Sequence, residues 1–341
     1  MTKPRSRRVP RVLVLADRRP DGLDEVAAHA DLVCVPEARL AAELPAADAL
    51  LVWEFGTEAL PAAWPGGGGG PRWVHTASAG VDRLMFPALR DSDTLVTNSR
   101  GVFEQPIAEW VAGQVIALAK DFAGTYERQR GRVWQHRVTE RVADTYAVVL
   151  GGGPIGRAVV RTLRALGLRV DLVGRSRRDG DPEVGTVHAF GEFGELLARA
   201  DWVVCAAPLT AETEDLFDAA AFARMKRGAR FVNVGRGPMV VEKDLLAALE
   251  HGRLAGAALD VFRQEPLPAD SPLWDAPNLL VSPHMSADTV SWLDDLAAVF
   301  ADNFARWRTG RPLRNVVDKK LGYVPVAAAE PSAPTAPEEG A

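Results

Sequence analysis

The chain reads as an α/β protein with two doubly wound parallel sheets. Two patterns predict this. Short apolar runs alternate with segments of helical periodicity along most of the chain, and a glycine-rich turn, Gly151-Gly152-Gly153-Pro154-Ile155-Gly156, sits between one such run and one such segment. A length of 341 residues allows two domains of ordinary size. With 47% hydrophobic and 25% charged residues, a substantial core can form.

Taken in order, the apolar runs predict strands over 11–16, 32–35, 49–53, 73–76 and 94–98, with helices over 24–30 and 40–44. The run Gly66 to Gly70 cannot pack as an element and is expected to be a flexible surface loop. A long helix is predicted over 104–122 from Ile107, Trp110, Val111, Val115, Leu118 and Phe122, with Pro106 tolerated in the first turn. Further strands fall at 147–150, 168–173, 187–189, 202–206, 231–234, 256–261 and 279–282, with helices over 193–199, 219–225 and 242–251. A last helix over 287–309 presents Trp292, Leu296, Val299, Phe300, Phe304 and Trp307, and is expected to return to the first unit. The expected division is 9–103 with 288–320 as one domain and 104–287 as the other. The Ala/Pro/Glu-rich stretch 324–341 is expected to be disordered.

The net charge of −5 gives no case for a nucleic-acid or anionic-membrane partner. No apolar run is long enough for a membrane span, and no apolar leader follows the basic residues up to Arg8. Cys34 and Cys205 read as small core residues of a reducing compartment, so the expected location is the cytoplasm. No metal is assigned.

A buried strand, the glycine turn and a helix start are what a dinucleotide pyrophosphate requires, which makes 104–287 a Rossmann unit. Gly151 permits the turn, Gly153 lets the backbone approach the phosphates, and Gly156 lets helix and strand pack closely. Pro154 and Ile155 open the helix. The acid that would take the ribose hydroxyls is missing after the second strand, which ends Gly174-Arg175-Ser176-Arg177-Arg178. Arg175, Ser176 and Arg177 supply guanidinium forks and a hydroxyl for a 2′-phosphate. NADPH is therefore expected to be preferred, with NADH as the weaker cofactor. The alternative for these arginines is a merely solvated face. Asp171 lies mid-strand and is not counted as the missing acid.

Three strand ends carry Asn233-Val234-Gly235-Arg236, Asp260-Val261-Phe262-Arg263-Gln264-Glu265 and Ser282-Pro283-His284-Met285-Ser286. Ligands collect beyond the carboxyl ends of such strands. With Ser78-Ala79-Gly80-Val81-Asp82 and Pro208-Leu209-Thr210 through Thr213, these segments resemble the D-isomer-specific 2-hydroxyacid dehydrogenase family, its glyoxylate/hydroxypyruvate reductase branch in particular.

The resemblance implies a flavodoxin-like substrate domain made from both chain ends, a homodimer with the cofactor domain and the 104–122 helix at its interface, and a small 2-keto or 2-hydroxy acid as substrate. It assigns Arg236 to the substrate carboxylate, His284 to proton transfer, and Glu265 to orienting His284 and favouring its charged form. Ala206, Pro208, Thr213, Val234, Asp260 and Ser286 would contact the cofactor, and Trp53, Ser78, Ala79 and Gly80 the substrate. For Asp260 a turn-capping role is the open alternative, and for Trp53 a core role. Ala206 and Ala207 stand where many members have a His before Pro-Leu-Thr. His29, His75, His136, His188 and His251 have no supporting context. A nucleotide-sensing scaffold or corepressor of the same fold is the competing function.

Overall fold

The computed structural model describes residues 8–66 and 68–325. Gly67 of the glycine run, and the expected disordered stretch from residue 326 onward, lie outside the described residues.

The first sheet holds β1 (Arg11–Leu15), β2 (Asp31–Val35), β3 (Ala49–Val52), β4 (Trp73–Thr76) and β5 (Leu95–Asn98), all parallel in the order β2-β1-β3-β4-β5. The second holds β6 (Tyr146–Leu150), β7 (Arg169–Gly174), β8 (Arg178–Asp181), β9 (Gly185–Ala189), β10 (Trp202–Cys205), β11 (Ala229–Asn233), β12 (Leu254–Leu259) and β13 (Leu279–Val281). Its order is β13-β12-β11-β10-β6-β7-β9-β8, and only the β8–β9 pair is antiparallel. Strands β3, β4, β6, β10 and β11 are buried along their whole length, because helices cover both sheet faces. The strand order reverses between β6 and β10, which opens a crevice at their carboxyl ends.

Helix Glu104–Ala119 packs along helix Pro154–Ala165, burying Ile107, Val111 and Val115 with Val159 and Leu163. The last helix, Trp292–Thr309, returns to the first sheet as expected. Phe300 stacks on Trp73 of β4 at 5.1 Å between ring centroids, within a cluster that includes Val12, Val14 and Phe304.

Three expectations need correction. The 104–122 helix stops at Ala119, because Asp121 adopts the left-handed region (φ 49°) and its carboxylate caps a new helix, Phe122–Arg130. Phe122 is consequently exposed rather than part of the apolar stripe. The 287–309 helix begins only at Trp292, after turns in which Asp288, Thr289 and Trp292 donate to carbonyls three or two residues back. Strand β8 was not expected at all: Arg178-Asp179-Gly180-Asp181 is an edge strand without an apolar face. Both cysteines are free; Cys205 is buried and Cys34 only partly so.

Candidate active site

The glycine turn joins β6 to helix Pro154–Ala165, whose N-terminus has no side-chain cap. Gly151 has φ +127°, and a Cβ there would lie 2.4 Å from the Ala206 carbonyl oxygen. A Cβ on Gly156 would lie 1.9 Å from the Gly151 oxygen. Packing within the chain thus requires glycine at both positions. Gly153 differs: its φ of −80° suits any residue, and a Cβ would meet nothing within 4 Å. The chain itself gives no reason for glycine there. Open space beside an uncapped helix start fits a diphosphate. Pro154 takes the first helical position, and Ile155 packs partly buried against the core below.

The loop after β7 holds its basic residues unequally. Arg177 bonds Asp179 (3.0 Å) and Glu192 (2.7 Å), so its charge is already matched. Arg175 and Ser176 are exposed, and Arg175 lies over the ring of Tyr323. Arg178 was not among the expected contacts, yet its Nη2 would stand 3.7 Å from a Cβ on Gly152, closer to the glycine turn than its neighbours' positions suggested. Asp171 points elsewhere, accepting from the Tyr146 hydroxyl at 2.8 Å.

At the opposite side of the crevice, Glu265 Oε2 lies 2.8 Å from His284 Nδ1, and Glu265 Oε1 accepts from the Phe262 N–H at 2.8 Å. Burial raises the Glu265 carboxyl pKa, but the bonds from His284 and Phe262 and the charges of His284 and Arg236 outweigh it and hold it below its ordinary value. His284 Nε2 has no hydrogen-bond partner among the described residues. The His284 backbone lies at φ +55°. Asp260 accounts for this: its carboxylate is 1% exposed and accepts from the Ser282 hydroxyl (2.6 Å) and the N–H groups of Met285 (2.9 Å) and Ser286 (2.9 Å). Asp260 therefore shapes the histidine loop from below, the capping role left open above, and Ser286 joins it through its backbone.

Arg236 extends across to the first sheet unit. Its Nε donates to Asp82 Oδ1 at 3.1 Å, and its Nη1 donates to the Gly235 carbonyl at 2.8 Å. The guanidinium rests on Gly80, where a Cβ would fall 1.6 Å from Nη2. The loop bearing Ser78, Ala79 and Gly80 is pinned by its oxygens: the Ser78 hydroxyl donates to the Gly80 carbonyl (2.7 Å), and Asn98 Nδ2 donates to the Ala79 carbonyl (2.6 Å). The Ala79 and Gly80 N–H groups have no partner among the described residues. A carboxylate can bind there beside the guanidinium.

Several residues expected at the cofactor or the substrate also bond or pack within the chain. The Thr213 hydroxyl donates to the Pro208 carbonyl (2.8 Å) and accepts from the Thr210 N–H (2.8 Å), closing its own loop. The Ala206 N–H bonds the Leu150 carbonyl, and the Val234 N–H bonds the Cys205 carbonyl, so both lie at the crevice rim as strand extensions. Trp53 is partly buried and packs against the cores of both sheet units. His75 is wholly buried between Thr97 Oγ1 and Ser99 Oγ, and burial pushes its pKa down to about 3, a structural histidine. Asp82 closes the Ser78–Asp82 segment, and nothing in the sequence signals its part in the site, because its partner lies 154 residues away. A cavity of about 620 Å³ lies at the carboxyl ends of β1, β2 and β3, where Asp17, Glu37, Glu54 and Glu58 would repel a keto acid.

Residues 112–286 match the NAD binding domain of the D-isomer specific 2-hydroxyacid dehydrogenases. The chain is 34% identical to glyoxylate/hydroxypyruvate reductase B of Citrobacter koseri over 257 residues, covering 73% of this chain and 79% of that protein. It is 32% identical to glyoxylate/hydroxypyruvate reductase A of Klebsiella pneumoniae over 285 residues, covering 81% and 88%. The solved NADPH-dependent glyoxylate/hydroxypyruvate reductase of Sinorhizobium meliloti, in complex with NADP and sulfate, is similar with a TM-score of 0.79 at 29% identity, covering 92% of this chain and all of that one (100%). With a dinucleotide crevice facing a guanidinium and a carboxylate-bound imidazole, the chain belongs to the D-isomer-specific 2-hydroxyacid dehydrogenase family and is an NAD(P)-dependent oxidoreductase of its glyoxylate/hydroxypyruvate reductase branch.

Proposed function

We propose that the protein reduces a short 2-keto acid, glyoxylate or hydroxypyruvate in type, to the D-2-hydroxy acid, with NADPH preferred over NADH. The observation that carries this is the Glu265–His284 pair at 2.8 Å, with Nε2 of the imidazole left free and Arg236 resting on Gly80 opposite. Arg236 and the N–H groups of Ala79 and Gly80 bind the substrate carboxylate, and the guanidinium also polarises the ketone oxygen. A dinucleotide held at Gly153 and the uncapped start of helix Pro154–Ala165 would supply a hydride to the carbonyl carbon. Negative charge then grows on the carbonyl oxygen, and His284 Nε2–H donates the proton that neutralises it. Glu265 fixes Nδ1 as a donor and holds the ring so that Nε2 faces away from it. In the oxidative direction His284 takes the proton back.

The cofactor preference rests on the missing ribose acid, on exposed Arg175 and Ser176, and on Arg178 beside Gly152. The NADP held by the Sinorhizobium meliloti reductase supports the same preference. The proposed assembly is a homodimer acting in the cytoplasm. The 104–119 stripe is occupied inside the chain, which moves the proposed contact surface to 122–138, where Phe122, Tyr126, Val133, Trp134 and Val138 are exposed.

The test is steady-state oxidation of NADPH and of NADH with a panel of 2-keto acids. Turnover with glyoxylate or hydroxypyruvate, faster with NADPH at limiting cofactor, is expected. Binding of NADPH with no turnover on any acid would overturn the reading and revive the scaffold alternative.

A further inference from the structure

Of the basic residues after β7, only Arg175 is held by a part of the other sheet unit. Arg177 is matched by Asp179 and Glu192, and Arg178 lies by Gly152. The Arg175 guanidinium carbon lies 5.4 Å from the ring centroid of Tyr323, and no carboxylate engages it among the described residues. Tyr323 is far from Arg175 in sequence and belongs to a segment fastened to β5. Val316 bridges Thr97, the Val317 N–H donates to the Val96 carbonyl (2.8 Å), and the Asp318 N–H donates to the Tyr323 carbonyl (3.0 Å). Lys319 Nζ reaches the carbonyls of Leu89 (3.2 Å) and Thr94 (3.1 Å) and also that of Ser92. The ring is thus a fixed platform.

A ring under one face of a guanidinium attracts its charge and restricts its tilt while leaving the N–H edge free. That edge is what a phosphate needs for paired hydrogen bonds. A long exposed arginine otherwise loses side-chain freedom when it binds an anion, a cost that a preset orientation removes. We propose that Tyr323 is a positioning residue for the 2′-phosphate of NADP(H), acting through Arg175. Cofactor choice, usually a property of the Rossmann unit alone, then depends on a residue of the substrate unit. This rests on the NADPH preference proposed above. The tyrosine hydroxyl makes no hydrogen bond among the described residues, so the ring alone carries the effect.

The experiment measures dissociation constants of NADPH and NADH by quenching of protein fluorescence for the wild type, Tyr323→Ala, Tyr323→Phe and Arg175→Ala. Tyr323→Ala should weaken NADPH binding by about two- to fivefold, as loss of an exposed cation–π contact implies, while NADH binding stays unchanged. Tyr323→Phe should match the wild type for both cofactors. Arg175→Ala should weaken NADPH by more than Tyr323→Ala does. If Tyr323→Ala weakens both cofactors alike, the ring is only structural and the inference fails. If Arg175→Ala loses the NADPH preference and Tyr323→Ala keeps it, the inference fails while the cofactor reading survives. A wild type without preference would defeat the cofactor reading itself.

Discussion

His284 holds a backbone conformation that costs a residue with a Cβ about 1 kcal/mol or more. The buried Asp260 carboxylate maintains it by accepting from the N–H groups of the two peptides that follow His284, those of Met285 and Ser286. Replacing His284 with Gln should lower kcat by about 10²- to 10⁴-fold while NADPH affinity stays within roughly twofold, measured by turnover and by fluorescence titration. Unchanged turnover would remove the imidazole from the reaction. Asp82 acts on the other candidate group: it orients Arg236 through Nε at 3.1 Å. Asp82→Ala should reduce kcat/KM for the keto acid by roughly ten- to a hundredfold, mostly through KM, as expected for loss of a charged hydrogen bond. Equal KM values in variant and wild type would show that Arg236 needs no such support. The placement of Arg236, Glu265 and His284 beyond the carboxyl ends of strands was legible because each lies in a segment that follows an apolar run. Asp82, Asp260 and Thr213 were not, because a sequence does not say which way a polar side chain turns. Within the chain, Asp82 bonds the Arg236 guanidinium and Asp260 bonds the N–H groups after His284.

At the scale of elements, the apolar runs located every strand except β8, whose residues carry no apolar period. That edge strand nevertheless anchors the cofactor-side helix. Asp181, at its end, receives Arg157 at 2.5 and 2.8 Å, and Arg157 also reaches Glu183 at 3.0 Å. The Arg157 bonds hold the Asp181 carboxyl far below the usual carboxylate range, against a smaller opposing effect of burial. A carboxyl lowered by folding stabilises the native state fully above its unfolded pKa of about 4, and that contribution is lost as pH falls through the folded value. Asp181→Asn should therefore be less stable at pH 7 by about 1–3 kcal/mol in denaturant unfolding, with the difference shrinking as the pH drops below about 4. A difference independent of pH would mean that packing, not charge, accounts for the loss. The helix break at Asp121 was hidden for a related reason. The apolar period ran on to Phe122, while the left-handed turn and its capping carboxylate depend on backbone geometry that periodicity does not report.

For the molecule as a whole, the alternation of strands and helices sufficed to predict both sheets, and the family resemblance, with its first domain built from both chain ends, agreed with the return of the last helix. What it could not supply was the facing of the two units, since the Arg236–Asp82 and Arg175–Tyr323 contacts join residues distant in sequence. The exposed surface of 122–138 leads to an expectation about assembly: light scattering should give a dimer for the wild type, and Trp134→Glu should shift it toward monomer. A monomeric wild type would refute the proposed dimer. The return of the helix Trp292–Thr309 also bears on how the chain is made. Trp73 and the β4 face it belongs to stay bare until Phe300 has been added to the chain, after every strand from β6 to β13. The amino-terminal sheet, synthesised first, should be the last to mature. A released chain that ends near residue 290 would then yield to protease in the first sheet while the second resists.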